Sequence, residues 1–256
     1  MLTEPAFLNW LGPLCLSPAI GSFVGVLIRR LPEGRSPFWS RSKCETCERK
    51  LSPMDLMPVA SYLALRGRCR SCGSPIARFD VVVELLGVAV ALWAALVDRD
   101  PVWLWSTCIL GWALLAMAWI DSEHFRLPDI LTLPLMAFGI VFQSAVPPGR
   151  LSESLIGALA GYAGFRVIAI VYRTMRGRDG LGAGDAKLLA AAGAWVGWSG
   201  LPEVVLLAAL LAILAVVAMR ARDSNLDGAE AIPFGPFLAA SLWLNHLYGP
   251  LFFNLS

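Results

Sequence analysis

The chain has 256 residues, of which 57% are hydrophobic and only 16% charged, and its mean hydropathy is +0.64. A soluble domain carries about 45–50% apolar and about 25% charged residues, so this composition excludes a single water-soluble globule and makes lipid the expected solvent. The formal net charge of +2 is too small to direct function by itself, and nucleic acid is not an expected partner.

A membrane span needs about 20 mostly apolar residues. Eight stretches qualify, at 6–28, 81–97, 102–120, 129–146, 152–172, 185–199, 202–219 and 232–254. The first has no basic segment before it and no small-residue cleavage site after it, which predicts a retained helix rather than a removable leader. Arg29 and Arg30 follow it. The long polar stretch 29–79 comes next, with Cys44, Cys47, Cys69 and Cys72. Asp80 and Glu84 are expected in the first turn of the second span. The third ends at Asp121. Asp129 suits an N-cap for the fourth, and Arg166 in the fifth is expected to face the bundle interior or to reach an interface. The sixth opens at Asp185 after a glycine-rich loop. The eighth, opening with Pro233, Gly235 and Pro236, is expected to start broken or re-entrant. Cys15 and Cys108 read as small buried hydrophobes. The expected fold is thus an all-α polytopic membrane protein of about eight transmembrane helices: a first helix at 1–28, a four-cysteine module at 29–79 and a membrane core at 80–256.

Lysine and arginine orient the bundle. Residues 29–79 carry eleven, the 173–187 loop four, the 121–128 loop one and the 220–231 loop two, against Arg99 and Arg150 in the opposite loops. Eighteen against two predicts that the first set is cytoplasmic.

Two CxxC pairs separated by 21 residues can offer four thiolates to one tetrahedral zinc ion, closing a structural site with no open position. The reducing cytosol argues against disulfides, and Arg68 and Arg70 are expected to favour the thiolates. Zinc suits a segment too short to build a stable core alone.

Asp121 and Asp185 fall at the same predicted membrane boundary, and an ionisable residue there is a functional candidate by default. Two carboxylates held close do not both ionise easily, and a pair sharing one proton can activate water and protonate a leaving amine. Gly182 and Gly184 remove side chains beside Asp185, leaving room for a substrate backbone. The alternatives are that Asp185 only serves its helix dipole and that Asp121 is an ordinary boundary residue. His124 reads as an interfacial polar residue. No HExxH or GxSxG occurs, so metalloprotease and serine-hydrolase chemistry are not indicated.

The chain resembles the bacterial type IV prepilin peptidases along nearly its whole length. The strings that carry the resemblance are, in order, GSFVGVLIRRLP, the cysteine loop RSKCETCERKLSPMDLMPVASYLALRGRCRSCGSPI, VVVELL, WIDSEHFRLPDILTLPL, GLGAGDAKLLAAAGAWVGW and IPFGPFLA. The resemblance implies a GxGD-type intramembrane aspartyl protease in the bacterial inner membrane. Such an enzyme cuts the basic leader of prepilins and pseudopilins on the cytoplasmic side, after a glycine. It then methylates the new amine with S-adenosylmethionine. The family's catalytic aspartates fall on Asp121 and Asp185, its cysteines on Cys44, Cys47, Cys69 and Cys72, and a position associated with methyl transfer on Gly67. No methyl-donor loop is visible from the residues alone. The competing readings are a proton-coupled transporter using the same carboxylates and a membrane assembly factor docking through the zinc module.

Overall fold

The computed structural model describes residues 4–39, 43–44, 46–50, 52, 60–97, 100–146, 149–177, 180, 182–222 and 232–250. Those residues form eight helices: α1 (Glu4–Arg30), α2 (Ala60–Ala64), α3 (Arg78–Val97), α4 (Pro101–His124), α5 (Asp129–Ala145), α6 (Leu151–Arg176), α7 (Ala183–Arg222) and α8 (Gly235–Tyr248). Five of them, α1, α3, α4, α6 and α7, are long and apolar enough to cross a membrane. α5 is a shorter apolar helix of 17 residues and α8 has 14. The chain divides into two compact units, Met1–Ala116 and Met117–Ser256.

In the first unit α1 lies against α3. A Cβ at Gly21 would fall 2.7 Å from the Glu84 Cα, and one at Gly87 would fall 3.0 Å from the Gly21 Cα. Small residues therefore bring the two backbones together, the usual device where lipid supplies no hydrophobic drive between helices. The Trp112 indole N–H donates to the Gly87 carbonyl at 2.9 Å and ties α4 to the same place. At the polar end Arg29 pairs with Asp80 at 3.1 Å and lies 4.8 Å over the Phe79 ring. Asp80 is in the first turn of α3, as expected, but the helix begins at Arg78, so Glu84 lies beyond that turn and is buried.

In the second unit α6 packs on α7 at still closer range. A Cβ at Gly157 would sit 2.3 Å from the Gly193 carbonyl oxygen, and one at Gly161 would sit 2.5 Å from that of Leu189. The expected sixth and seventh spans both fall within the 40-residue α7, which is interrupted where Gly197 adopts φ 76°, ψ 175°. In a helix each carbonyl accepts from the N–H four residues on, so a break there disturbs the carbonyls just before it. Side chains from two neighbouring helices reach them: the Ser154 hydroxyl donates to the Ala194 carbonyl at 2.7 Å, and the Gln143 amide donates to that of Trp195. Trp195 fills the core beside Phe138, Phe142 and the edge-on ring of His246. α8 is held to α7 by the Ser241 hydroxyl on the Val204 carbonyl at 2.6 Å.

Several single-residue expectations change. Cys108 is fully buried, but Cys15 is exposed on α1. Arg166 is exposed on α6, which sets aside the first of its two expected placements, the bundle interior, and leaves the second, reach to an interface. α5 begins at Asp129 itself, with Pro128 in the N-cap position and no side-chain cap. Asp129 instead forms an ion pair with Lys187 at 2.5 Å.

Candidate active site and four-cysteine centre

The four cysteines come from two knuckles of the same construction. Antiparallel bridges Lys43–Lys50 and Arg68–Pro75 close them. Within each, the first cysteine's N–H donates across the turn, Cys44 to the Arg49 carbonyl and Cys69 to that of Ser74. The four sulfurs lie within 4.8 Å of one another, with Cys44 and Cys72 at 3.8 Å. A tetrahedral zinc with Zn–S bonds of about 2.3 Å separates its sulfurs by roughly 3.8 Å, so the donor set fits that ion.

The thiols are also electrostatically uneven. Backbone N–H groups of Cys47 and Thr46 and the Ser74 hydroxyl pull Cys44 down to about 6. The Ser74 hydroxyl and N–H lower Cys72 as well. The Arg49 N–H favours the thiolate of Cys47, but desolvation and the neighbouring sulfurs of Cys44, Cys72 and Cys69 outweigh it and push Cys47 up to about 11. Four thiols this close cannot all ionise without a cation among them. The donors that favour thiolate at Cys44 and Cys72 are the Ser74 hydroxyl and backbone N–H groups of the knuckles.

Gly67 has φ 70°, and a Cβ there would lie 2.9 Å from the Tyr62 ring. Its N–H donates to the Tyr62 carbonyl and its own carbonyl accepts from Ile76. Gly67 thus shapes the turn into the second knuckle, and its open side is filled by Tyr62.

Asp121 lies in the last turn of α4 and Asp185 in the first turn of α7; both belong to the second unit and both are buried. Asp185 lies within electrostatic reach of the Asp121 carboxylate. Each has one carboxylate oxygen fixed by a glycine N–H: Asp185 Oδ2 accepts from Gly182 at 3.2 Å, and Asp121 Oδ2 accepts from Gly235 at 2.9 Å. The end of α4 is turned by Phe125, which has φ 53° and donates its N–H to the Asp121 carbonyl. The following chain brings Leu127 against Gly184, where a Cβ would lie 2.9 Å from that of Leu127. So the space at Gly184 is occupied by Leu127, and the space at Gly182 by the Asp185 carboxylate, 3.1 Å from where a Cβ would be. His124 is exposed, near Glu123. Sequence reasoning missed Gly235 as a site residue. The available signal was the Pro-Phe-Gly-Pro string, which places an unsatisfied helix N-terminus just before an apolar helix.

Residues 108–217 match the model of the type IV leader peptidase family, and residues 15–97 that of the bacterial peptidase A24 N-terminal domain. The prepilin leader peptidase/N-methyltransferase of Aeromonas hydrophila is 38% identical over 90% of this chain and 87% of its own length. The protein of the same name from Pseudomonas aeruginosa is 35% identical over 92% and 89%. That from Burkholderia pseudomallei is 36% identical over 94% and 86%. No solved structure matches the chain.

Proposed function

Because this chain belongs to the type IV leader peptidase family, we propose that it cleaves the leader of prepilins or pseudopilins with Asp121 and Asp185 and methylates the amine so released. The observation that carries the assignment of the pair is their arrangement: two buried carboxylates within electrostatic reach, each anchored by one glycine N–H. One carboxylate takes a proton from water as its oxygen bonds to the scissile carbonyl carbon. The other, protonated, gives its proton to the leaving nitrogen as the C–N bond breaks. The products are the leader's carboxylate and a new N-terminal amine. When bound, S-adenosylmethionine would supply a methyl group from its sulfonium, leaving the thioether, and the released amine would take it up with loss of a proton. No residue is assigned to hold this donor, and Gly67 bears on methylation through the shape of its turn.

The zinc reading for Cys44, Cys47, Cys69 and Cys72 rests on the sulfur spacing and on thiols that need a shared cation. The topology follows the charge count: α7 supplies two crossings about Gly197, giving eight in all with α5 and α8 as short ones. The arginine-rich loops and the aspartates then lie on the cytoplasmic side of the bacterial inner membrane. The transporter reading has no support among the relatives, which carry peptidase and methyltransferase names.

The test is cleavage of a prepilin-like peptide by the wild type, Asp121→Asn and Asp185→Asn. Each variant is expected to lose at least about 100-fold in rate while keeping its melting temperature and metal content. Cleavage by either folded variant at the wild-type rate removes that residue from the pair.

A further inference from the structure

Gly235 is the first residue of α8 and is buried. Its N–H is one of the donors that a helix start leaves without an intrahelical partner, and it meets the Asp121 carboxylate at 2.9 Å. The helix dipole favours negative charge at that place. Gly235 does not have a positive φ, so its backbone conformation does not demand glycine.

Space does demand it. The three heavy atoms nearest to a Cβ at Gly235 all belong to one side chain: Asp121 Oδ2 at 2.6 Å, Cγ at 2.9 Å and Cβ at 3.1 Å. This differs in kind from Gly157 and Gly193, where an added Cβ meets the backbone of the facing helix and the helices themselves would have to part. At Gly235 the obstacle is mainly the end of a rotatable carboxylate, which can swing aside while the fold stays. A side chain at position 235 would therefore turn Asp121 rather than unseat α8.

From these contacts we propose that Gly235 is a positioning residue for Asp121, its N–H fixing one carboxylate oxygen and its missing side chain leaving that oxygen its place. The proposal rests on the reading of Asp121 as one of the cleaving pair. It adds a third segment, Pro233–Pro236, to the two helix ends that carry the aspartates.

The experiment compares the full-length wild type, Gly235→Ala, Pro236→Ala and Asp121→Asn in detergent, using a prepilin-like peptide across a range of pH. Gly235→Ala is expected to lose at least about 30-fold in kcat/KM, a fraction of the 10²–10⁴ that a positioned acid or base contributes. Its pH profile should be displaced from the wild type's, with melting temperature and zinc content unchanged. Pro236→Ala changes the next residue of the same helix start and leaves Gly235 with its N–H in place, and is expected to keep the wild-type profile. A Gly235→Ala profile that coincides with the wild type's, at whatever rate, overturns the proposal, as does an equal displacement in Pro236→Ala. If Asp121→Asn cleaves normally, the aspartate reading itself has failed. If Asp121→Asn is inactive and Gly235→Ala behaves as wild type, only the role of Gly235 has failed.

Discussion

The two cysteine knuckles share their bridges and turn hydrogen bonds but differ at one backbone position. The residue after the second cysteine is Gly73 in one and Glu48 in the other, with φ 71° and 53°. Both donate their N–H to the carbonyl of the first cysteine at 2.9 Å. A non-glycine residue in the left-handed region costs about 1–2 kcal/mol, of which glycine's greater freedom in the unfolded chain returns about 0.4–1. Glu48→Gly should thus stabilise the first knuckle by roughly 0.5–1 kcal/mol, tightening zinc about two- to five-fold in competition with a chelator. Gly73→Ala should weaken it by a similar amount. The cysteines and the two aspartates were legible in the sequence because their signals are local: a CxxC spacing, and a charge at the end of an apolar run. What was not legible depends on residues far away in the chain. Asp129 suits a cap by its local sequence because nothing nearby points to Lys187, 58 positions on. The Pro-Phe-Gly-Pro string marks a helix start at Gly235, but not that this start meets Asp121, 114 positions earlier.

Helices were the readable elements, since runs of apolar residues near membrane length leave few alternatives. The break in α7 was readable only as a gap between two apolar runs, and its position follows from tertiary packing. Gly193 and Gly157 let α6 approach so closely that Ser154 reaches the Ala194 carbonyl, and Gln143 from α5 reaches the next one, that of Trp195. The break at Gly197 is therefore supported from both sides. Two substitutions separate close approach from hydrogen bonding. Ser154→Ala leaves a buried carbonyl without its donor and should cost about 1–2 kcal/mol, read as a modest fall in melting temperature in detergent. Gly157→Leu must push α6 off the Gly193 backbone, where even a single Cβ would lie 2.3 Å from an oxygen. It should abolish folded protein, measured as loss of the monodisperse species on size-exclusion chromatography. If Gly157→Leu folds and melts as the wild type does, the glycine contacts do not hold α6 to α7.

Across the whole molecule the chemistry is partitioned. The cysteine centre lies within Met1–Ala116, and both aspartates with Gly235 lie within Met117–Ser256. The family models also separate the two centres: the cysteines fall in the one matching 15–97 and both aspartates in the one matching 108–217. Each side has its own source of order. Among the described residues the cysteine module has only two isolated bridges and the five-residue α2, far too little to bury a core; a bound metal would supply the missing free energy directly. The aspartate unit instead rests on α6–α7 and α7–α8 packing, which needs no metal. Removing zinc should therefore act unequally. Treatment with a strong chelator, or Cys44→Ser, should open residues 43–76 to rapid amide exchange and proteolysis. Methylation of an already cut peptide should fall by at least ten-fold, because the turn at Gly67 leads directly into the second knuckle through Arg68 and Cys69. Cleavage by the same preparation should fall by no more than a few-fold. Parallel measurement of both activities as metal is withdrawn decides the point: equal losses at every stage would mean that the cysteine centre also supports the aspartate pair, and that the partition does not extend to function.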